Sequence, residues 1–130
     1  MTATKEMIAA AREAASLAYV PYSHFPVGAA FHTTDGQIIT GCNIENASFG
    51  LSNCAERTAI FKAISEGVTN FDALYVFGET EEPISPCGAC RQVLAEFCPA
   101  DMPVYLISKE NKVKPTTVAE LLPYSFKELV

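Results

Sequence analysis

No stretch of this 130-residue chain stays apolar long enough to cross a bilayer. The longest apolar-leaning run, residues 7–20, is interrupted by Arg12 and Glu13, whereas a spanning helix needs about 20 predominantly apolar residues. The same run lacks the basic start and unbroken apolar centre of a secretory signal, so the expected compartment is the cytoplasm. Basic residues are also scarce: nine Lys and Arg stand against fifteen Asp and Glu, a formal charge of −6. That balance disfavours polynucleotide partners, whose binding relies on basic patches that displace counterions. Low-complexity tracts, long runs of one charge, internal repeats and linker-like segments are absent from the sequence. What remains is 49% hydrophobic, which fits a single domain over residues 1–130 with one core and is too short for two ordinary domains. The five cysteines, an odd number, read in that compartment as metal ligands or free thiols rather than as a disulfide framework.

Helix and strand signals alternate along the chain. Met7, Ile8, Ala11, Ala14, Ala15 and Ala18 recur at helical spacing within residues 4–19, and Pro21 stops the pattern. Their small alanine face permits close packing on a sheet. Residues 28–34 and 37–42 flank Asp35-Gly36, a two-residue hairpin signal because that pair accepts positive φ at little cost. Residues 53–66 read as a helix ended by Gly67, residues 73–77 as a buried strand, and residues 86–97 as a second helix. A strand over 104–107, a short strand near Val113 and a last helix over 117–122 complete the pattern. The alternation predicts a three-layer α/β/α sandwich with a mixed sheet of about five strands.

Two short motifs carry the chemistry: Asn53-Cys54-Ala55-Glu56-Arg57, and further on Ser85-Pro86-Cys87-Gly88-Ala89-Cys90-Arg91. Three thiolates can hold a zinc ion and leave its fourth tetrahedral position open, as catalytic zinc sites do. Glu56, two residues beyond a candidate ligand, is then placed to move protons for whatever occupies the open position. If Asn53 and Ser85 cap their helices, Cys54 and Cys87 fall in the first turns and Cys90 lies one turn beyond Cys87 on the same face. Free N–H groups and the positive end of the helix dipole favour thiolate there. Three thiolates on one divalent ion leave a net negative site, which makes bound water harder to ionise than at imidazole-ligated zinc, where its pKa is about 7. Arg57 and Arg91 are the candidates to offset that charge by hydrogen bonding to the sulfurs.

Plainer readings stay open residue by residue. Glu56 stands three residues after Asn53 and fits the return half of a capping box. Arg57 fits a solvated helix charge. Cys42 or Cys98 as a fourth thiolate would close the site into a structural one. Cys87 and Cys90 at a helix start also fit a redox pair, a reading that leaves Cys54 and Glu56 unexplained. Outside such roles, Cys42 and Cys98 are expected as buried small apolar residues.

With these motifs in place, the chain closely resembles the small homotetrameric cytidine deaminases of pyrimidine salvage. The likeness runs over PYSHFPVGAA at 21–30, GCNIEN at 41–46, NCAERTA at 53–59, SPCGACRQV at 85–93 and ELLPYSF at 120–126. A ligand-x-Glu followed by Pro-Cys-x-x-Cys is the signature of the zinc deaminase superfamily, and Cys at position 54 in place of His selects its three-cysteine branch. The resemblance implies a cytidine deaminase-like fold and one zinc ion per subunit on Cys54, Cys87 and Cys90. It implies hydrolytic deamination of cytidine and 2′-deoxycytidine. In that reaction Glu56 takes a proton from the attacking water, protonates the ring nitrogen and helps deliver a proton to the departing ammonia.

Substrate-contacting positions implied by the resemblance are Phe25, Asn43, Glu45, Ala55 and Phe126. Asn43 and Glu45 would hydrogen-bond the ribose, and Phe25 would pack on the nucleoside from a backbone that Pro26 biases to be extended. Phe126 would reach over the site of a neighbouring subunit, so that partner subunits complete one another's sites. Taken without the resemblance, Asn43 and Glu45 read as ordinary polar residues after a strand and Phe25 as a core aromatic. Phe49 departs from relatives that often carry Tyr, which removes a hydroxyl and leaves only ring packing at that position. A sister deaminase acting on an antibiotic or another cytosine nucleoside shares the chemistry but has less need of Asn43 and Glu45. A polynucleotide editor is disfavoured by the acidic charge. A noncatalytic zinc module needs no Glu56 and requires a closed coordination shell.

Overall fold

Thr4 opens the first helix: its side-chain oxygen accepts a hydrogen bond from the Met7 N–H, and α1 then spans Lys5–Ala15. The computed structural model describes residues 3–127; the ends of the expected domain, residues 1–2 and 128–130, lie outside the described residues. The helix stops at Ala15 although the alanine periodicity runs on to Ala18. Tertiary pairing overrides local propensity here, because the Tyr19 N–H donates to Asn43 O and the Glu45 N–H donates to Tyr19 O. That exchange draws residues 16–20 off the helix axis and toward the segment that follows the second strand.

β1 (Val27–Thr33) and β2 (Ile38–Cys42) pair antiparallel, with His32 opposite Ile38. The turn between them is one residue longer than the expected Asp35-Gly36 pair. The Thr33 N–H donates to Gln37 O and the Gly36 N–H to Thr33 O, so Thr34, Asp35 and Gly36 form a three-residue loop. Gly36 takes φ 89° at its end, the conformation that such loops place at their last position and that glycine adopts without strain.

After a short 3₁₀ turn at Phe49–Leu51, α2 spans Ala55–Ser65 and yields to Gly67, with φ 85°. β3 (Phe71–Gly78) lies antiparallel to β1 and parallel to β4 (Pro103–Ile107), with α3 (Gly88–Phe97) as the crossover between them. β5 (Val113–Thr117) runs antiparallel to β4 and leads into α4 (Val118–Leu121). The strand order β2-β1-β3-β4-β5 makes a mixed five-stranded sheet.

Both faces of the sheet are covered, which is why β3 reads as a continuous apolar run rather than an alternating one. Leu74 and Val76 join Ala59, Ile60, Leu94, Val118 and Leu121 from α2, α3 and α4 on one face. Ala73, Tyr75 and Phe77 meet Met7, Ala11 and Ala15 of α1 on the other. The three-layer α/β/α expectation is therefore met. Two glycines let the helices sit this close. A Cβ on Gly28 would fall 1.9 Å from Ala11 O in α1, and a Cβ on Gly41 would fall 2.5 Å from Ala59 N in α2. The position of α2 matters most, because its first turn leads directly into the site.

Candidate metal centre

α2 and α3 each begin immediately after a cysteine. Cys54 (φ −76°, ψ 157°) and Cys87 (φ −69°, ψ 167°) occupy the N-cap positions, extended and without a side-chain capping bond. This corrects the expectation that Asn53 and Ser85 cap the helices with the cysteines inside the first turn. Asn53 is instead engaged in a bridge with Ile44, each N–H donating to the other's carbonyl at 2.9 Å. Its side-chain Nδ2 donates to Thr58 Oγ1, which in turn donates to Cys54 O. A cap oxygen folds back onto the helix N–H groups, whereas sulfur is a weak acceptor and these two side chains turn toward one another. Cys90, one turn into α3, is buried and completes the group.

The three sulfurs fit a zinc ion. Cys54 Sγ lies 3.7 Å from Cys87 Sγ, Cys87 Sγ lies 3.5 Å from Cys90 Sγ, and all three lie within 4.8 Å of one another. With Zn–S bonds of about 2.3 Å, the edge of a tetrahedron is about 3.8 Å. Among the described residues no fourth His, Cys, Asp or Glu joins the group, so neither Cys42 nor Cys98 closes it. Cys98 is buried as expected, and burial pushes its thiol up to about 12. Cys42 is only half-buried, a departure from the expected core position. The convergence of Cys54 on the Cys87 and Cys90 pair also sets aside a simple two-cysteine redox motif.

Charge within the centre is unevenly held. A hydrogen bond from Cys90, with further ones from Arg57 and Cys87, brings the Cys54 thiol down to about 5 against the opposing effect of burial. Cys90, the donor to Cys54 and itself buried, is pushed up. Arg57 Nη2 lies 3.3 Å from Cys54 Sγ, and that contact holds the guanidinium firmly charged. Its Nε is buried and has no hydrogen-bond partner. Arg57 is thus the cation at the sulfurs. Arg91 is not: its guanidinium donates to Pro86 O, Leu121 O and Ser85 Oγ, which corrects the expectation that it bonds a ligand sulfur. Adjacent helical residues point in different directions, so following Cys90 in sequence does not bring Arg91 to Cys90's sulfur.

Glu56 is 5% exposed. Burial first, and the negative charge of Cys54 after it, push its carboxyl up to about 7 against the pull of its own backbone N–H and of Arg57. It stands at the second helical position after a Cys54 cap, so it is not the return half of a capping box built on Asn53. A carboxyl balanced near neutrality beside three sulfurs that can hold a metal is able to accept and return a proton.

An open cleft of about 500 Å³ leads to the centre, lined by Asn43, Glu45, Phe49, Ser52, Cys54, Arg57 and Cys87 among others. Asn43 and Glu45 shape its wall by holding the 22–27 loop. Asn43 Oδ1 accepts from the Val27 N–H at 2.9 Å and its Nδ2 donates to Phe25 O at 2.8 Å. Glu45 accepts from the Tyr22 and Ser23 N–H groups and from the Ser23 hydroxyl, bonds that hold its carboxyl below its usual range. An amide has a second N–H and a carboxylate a further lone pair, so each retains capacity for a ligand. Phe25 is partly exposed beside them. Ala55 is buried at the first helical position, where a backbone N–H has no intrahelical partner.

Phe126 is not among the residues lining its own chain's cleft: it is 64% exposed and its carbonyl accepts from Gln92 Nε2. Residues that sequence reasoning missed are Ser23, which holds Glu45, and Thr58, which links Asn53 to Cys54. The only hint of the first was its place in the Pro-bracketed loop; a threonine inside a helix gives no hint of the second.

A mixed sheet that brings together two helix starts, three sulfurs able to hold zinc and one buried carboxyl, beside an open cleft lined by Cys54 and Cys87, defines a zinc-dependent hydrolase. Residues 1–106 match the family model described as "Cytidine and deoxycytidylate deaminase zinc-binding region", and the chain belongs to that family. It is 56% identical over 124 residues to a cytidine deaminase of Sporosarcina psychrophila, covering 95% of this chain and 91% of that protein. A cytidine deaminase of Halalkalibacterium halodurans is 56% identical over 120 residues, covering 92% of this chain and 91% of the other. The crystal structure of cytidine deaminase from Burkholderia pseudomallei superposes with a TM-score of 0.92 at 48% identity, over 96% of this chain and all of that one.

Proposed function

We propose that this protein catalyses hydrolytic deamination of cytidine and 2′-deoxycytidine to uridine and 2′-deoxyuridine with release of ammonia, acting in pyrimidine salvage in the cytoplasm. The observation that carries the reading is the buried Glu56 carboxyl, held up to about 7, two residues from the Cys54 member of a three-sulfur group with no fourth protein donor among the described residues. Cys54, Cys87 and Cys90 would hold the zinc ion, whose Lewis acidity would lower the pKa of water so that it can give up a proton and act as the nucleophile. Glu56 accepts the proton that the water gives up, passes it to the ring nitrogen beside the carbon under attack, and supports proton delivery to the departing ammonia. A group whose proton affinity lies near the working pH serves in both directions. Arg57, bonded to Cys54, withdraws part of the charge that three thiolates accumulate.

Asn43 and Glu45 offer their remaining donor and acceptor capacity to the ribose, the Phe25 ring packs on the nucleoside, and Ala55 offers the base its backbone N–H. A site whose polar groups are built for sugar hydroxyls rejects a ligand that leaves them unpaired, so free cytosine is a poor substrate. Assembly completes the pocket. Leu17, Tyr19, Ile44, Phe49 and Leu51 are all exposed, and the Tyr19–Ile44 and Ile44–Asn53 bridges bring their segments side by side. An apolar surface of this kind marks an association face. A homotetramer that covers it shields the cleft from water, with Phe126 supplied across the interface.

An ammonia-release assay on cytidine, 2′-deoxycytidine, cytidine monophosphate and cytosine, with and without a zinc chelator, tests the reaction. Release should be confined to the two nucleosides and abolished by the chelator. Release that ignores the chelator would overturn the zinc reading, and equal efficiency on cytosine would overturn the ribose assignment. Sedimentation of the zinc-loaded protein tests the assembly: a monomer at micromolar concentration contradicts it.

A further inference from the structure

The chain between β3 and α3, residues 79–87, contains no helix or strand, yet it must deliver the Cys87 sulfur to a fixed point. Its first half is tied to the β4–β5 turn, where the Lys109 N–H donates to Thr80 O and Lys112 Nζ pairs with Glu82 at 2.7 Å. The second half has fewer anchors. Ile84 packs its side chain on the core against Gly78. The hydrogen bonds recorded to residues 83–86 among the described residues both come from Arg91: Nε to Pro86 O at 2.8 Å and Nη2 to Ser85 Oγ at 2.6 Å. The Arg91 backbone N–H also donates to Cys87 O at 3.0 Å. The last of these is the opening backbone bond of α3 and does not depend on the side chain, so the guanidinium itself holds the two positions directly before a candidate ligand. The third arm of the fork, Nη1, donates to Leu121 O at 2.8 Å and fixes the guanidinium from the side of α4.

Cys87 is exposed, so packing does little to place it. Proline supplies no N–H, and the carbonyl of Pro86 is the one backbone group by which that residue can be held. We propose that Arg91 is a positioning residue for the metal centre: its planar fork clamps Ser85-Pro86 against α3 and sets where Cys87 presents its sulfur. The proposal rests on Cys54, Cys87 and Cys90 being the zinc ligands. It differs from charge compensation in a way that can be measured. Lysine keeps the positive charge but is a point donor that cannot reproduce three bonds in a fixed plane, so it restores a charge effect and fails to restore a clamp.

The test measures zinc release from the intact zinc-loaded protein into excess chromophoric chelator for wild type, Arg91→Lys and Ser85→Ala. It is paired with the visible spectrum of the cobalt-substituted forms and the melting temperature of the chelated forms. Arg91→Lys should release zinc faster by on the order of 10-fold or more and shift the sulfur-to-cobalt bands. Ser85→Ala, which removes one arm, should give a smaller rise while its chelated form melts as wild type does. Wild-type release and spectrum in Arg91→Lys would overturn the proposal and leave charge as the role of Arg91. If Arg91→Lys does not fold, Ser85→Ala decides, and wild-type release from that variant overturns the clamp. A wild-type protein that takes up no zinc would overturn the reading of the centre itself, a result distinct from tight zinc in both variants.

Discussion

Gly41→Ala should damage the site without touching any group in it. The added Cβ would lie 2.5 Å from Ala59 N, 2.7 Å from Ala55 O and 2.9 Å from Ala59 Cα. All three atoms belong to the backbone of α2, so no side-chain rotation relieves the overlap. Comfortable contact begins near about 3.5 Å, and the helix must therefore lift from β2 by roughly 1 Å. Overpacking of this kind costs about 1–3 kcal/mol of stability. The functional loss comes from what α2 carries: Cys54 caps it and Glu56 stands in its first turn. A displacement of about 1 Å between catalytic groups and substrate costs on the order of 100-fold in rate.

Gly28→Ala is the matched control. Its Cβ would meet Ala11 O at 1.9 Å and Ala15 N at 2.5 Å, pushing α1 on the face of the sheet opposite to α2 and α3, which carry Cys54, Glu56, Cys87 and Cys90. Urea unfolding gives the stability of each variant, and kcat/KM per zinc-loaded folded molecule gives its competence. Both variants should be less stable, but only Gly41→Ala should lose about two decades of kcat/KM. Wild-type kcat/KM in folded Gly41→Ala, or an equal loss in folded Gly28→Ala, would refute the claim that the seat of α2 on Gly41 aligns the site.

Other consequences are as direct. Glu56→Gln should keep its zinc and lose about 10²- to 10⁴-fold in kcat; near-normal turnover in that variant would remove Glu56 from the proton path. In the chelated protein the Glu56 carboxyl is up to about 7 from an ordinary 4.5, so between those values the folded state binds more protons than the unfolded one and stability falls as pH rises. Denaturation at pH 4 and pH 8 should show chelated Glu56→Gln gaining about 3 kcal/mol on chelated wild type across that window, and a constant difference would contradict the burial argument. Iodoacetamide at neutral pH should label Cys54 in the chelated protein and spare Cys98, whose thiols are at about 5 and about 12; peptide mapping that finds Cys98 modified first would be fatal to that assignment. Truncation before Phe126 should lower activity per zinc while α1 to α4 stay folded, and undiminished activity would exclude a role for the ring.

The parts of the site that chemistry alone dictates were legible in the sequence. Three soft ligands and a nearby carboxylate have few alternative explanations once Cys54 and Glu56 are set beside Cys87 and Cys90, and the structure gathers the three sulfurs. The layers were legible too, because the apolar runs at residues 73–77 and 104–107 and the alanine face of α1 record burial on both sides of a sheet. What failed were features settled by a partner distant in sequence. Asn53 has the preferred chemistry of a cap, but its backbone is committed to Ile44, so the cap moved to Cys54. Ala18 continues a helical period, but the neighbouring Tyr19 is claimed by Asn43 and Glu45. Arg91 sits beside a ligand in sequence, but its donors are taken by oxygens of the 85–86 segment and of α4.

The crossover that joins β3 to β4 has a consequence for how the centre comes into being. Cys54 and the Cys87 and Cys90 pair belong to different helices, on either side of β3 in the chain. They meet across the pairings that β3 makes with β1 and with β4, so the middle of the sheet stands in the chain between one sulfur and the other two. The complete three-sulfur grip therefore belongs to the folded chain, and an ion that binds it stabilises the fold by mass action.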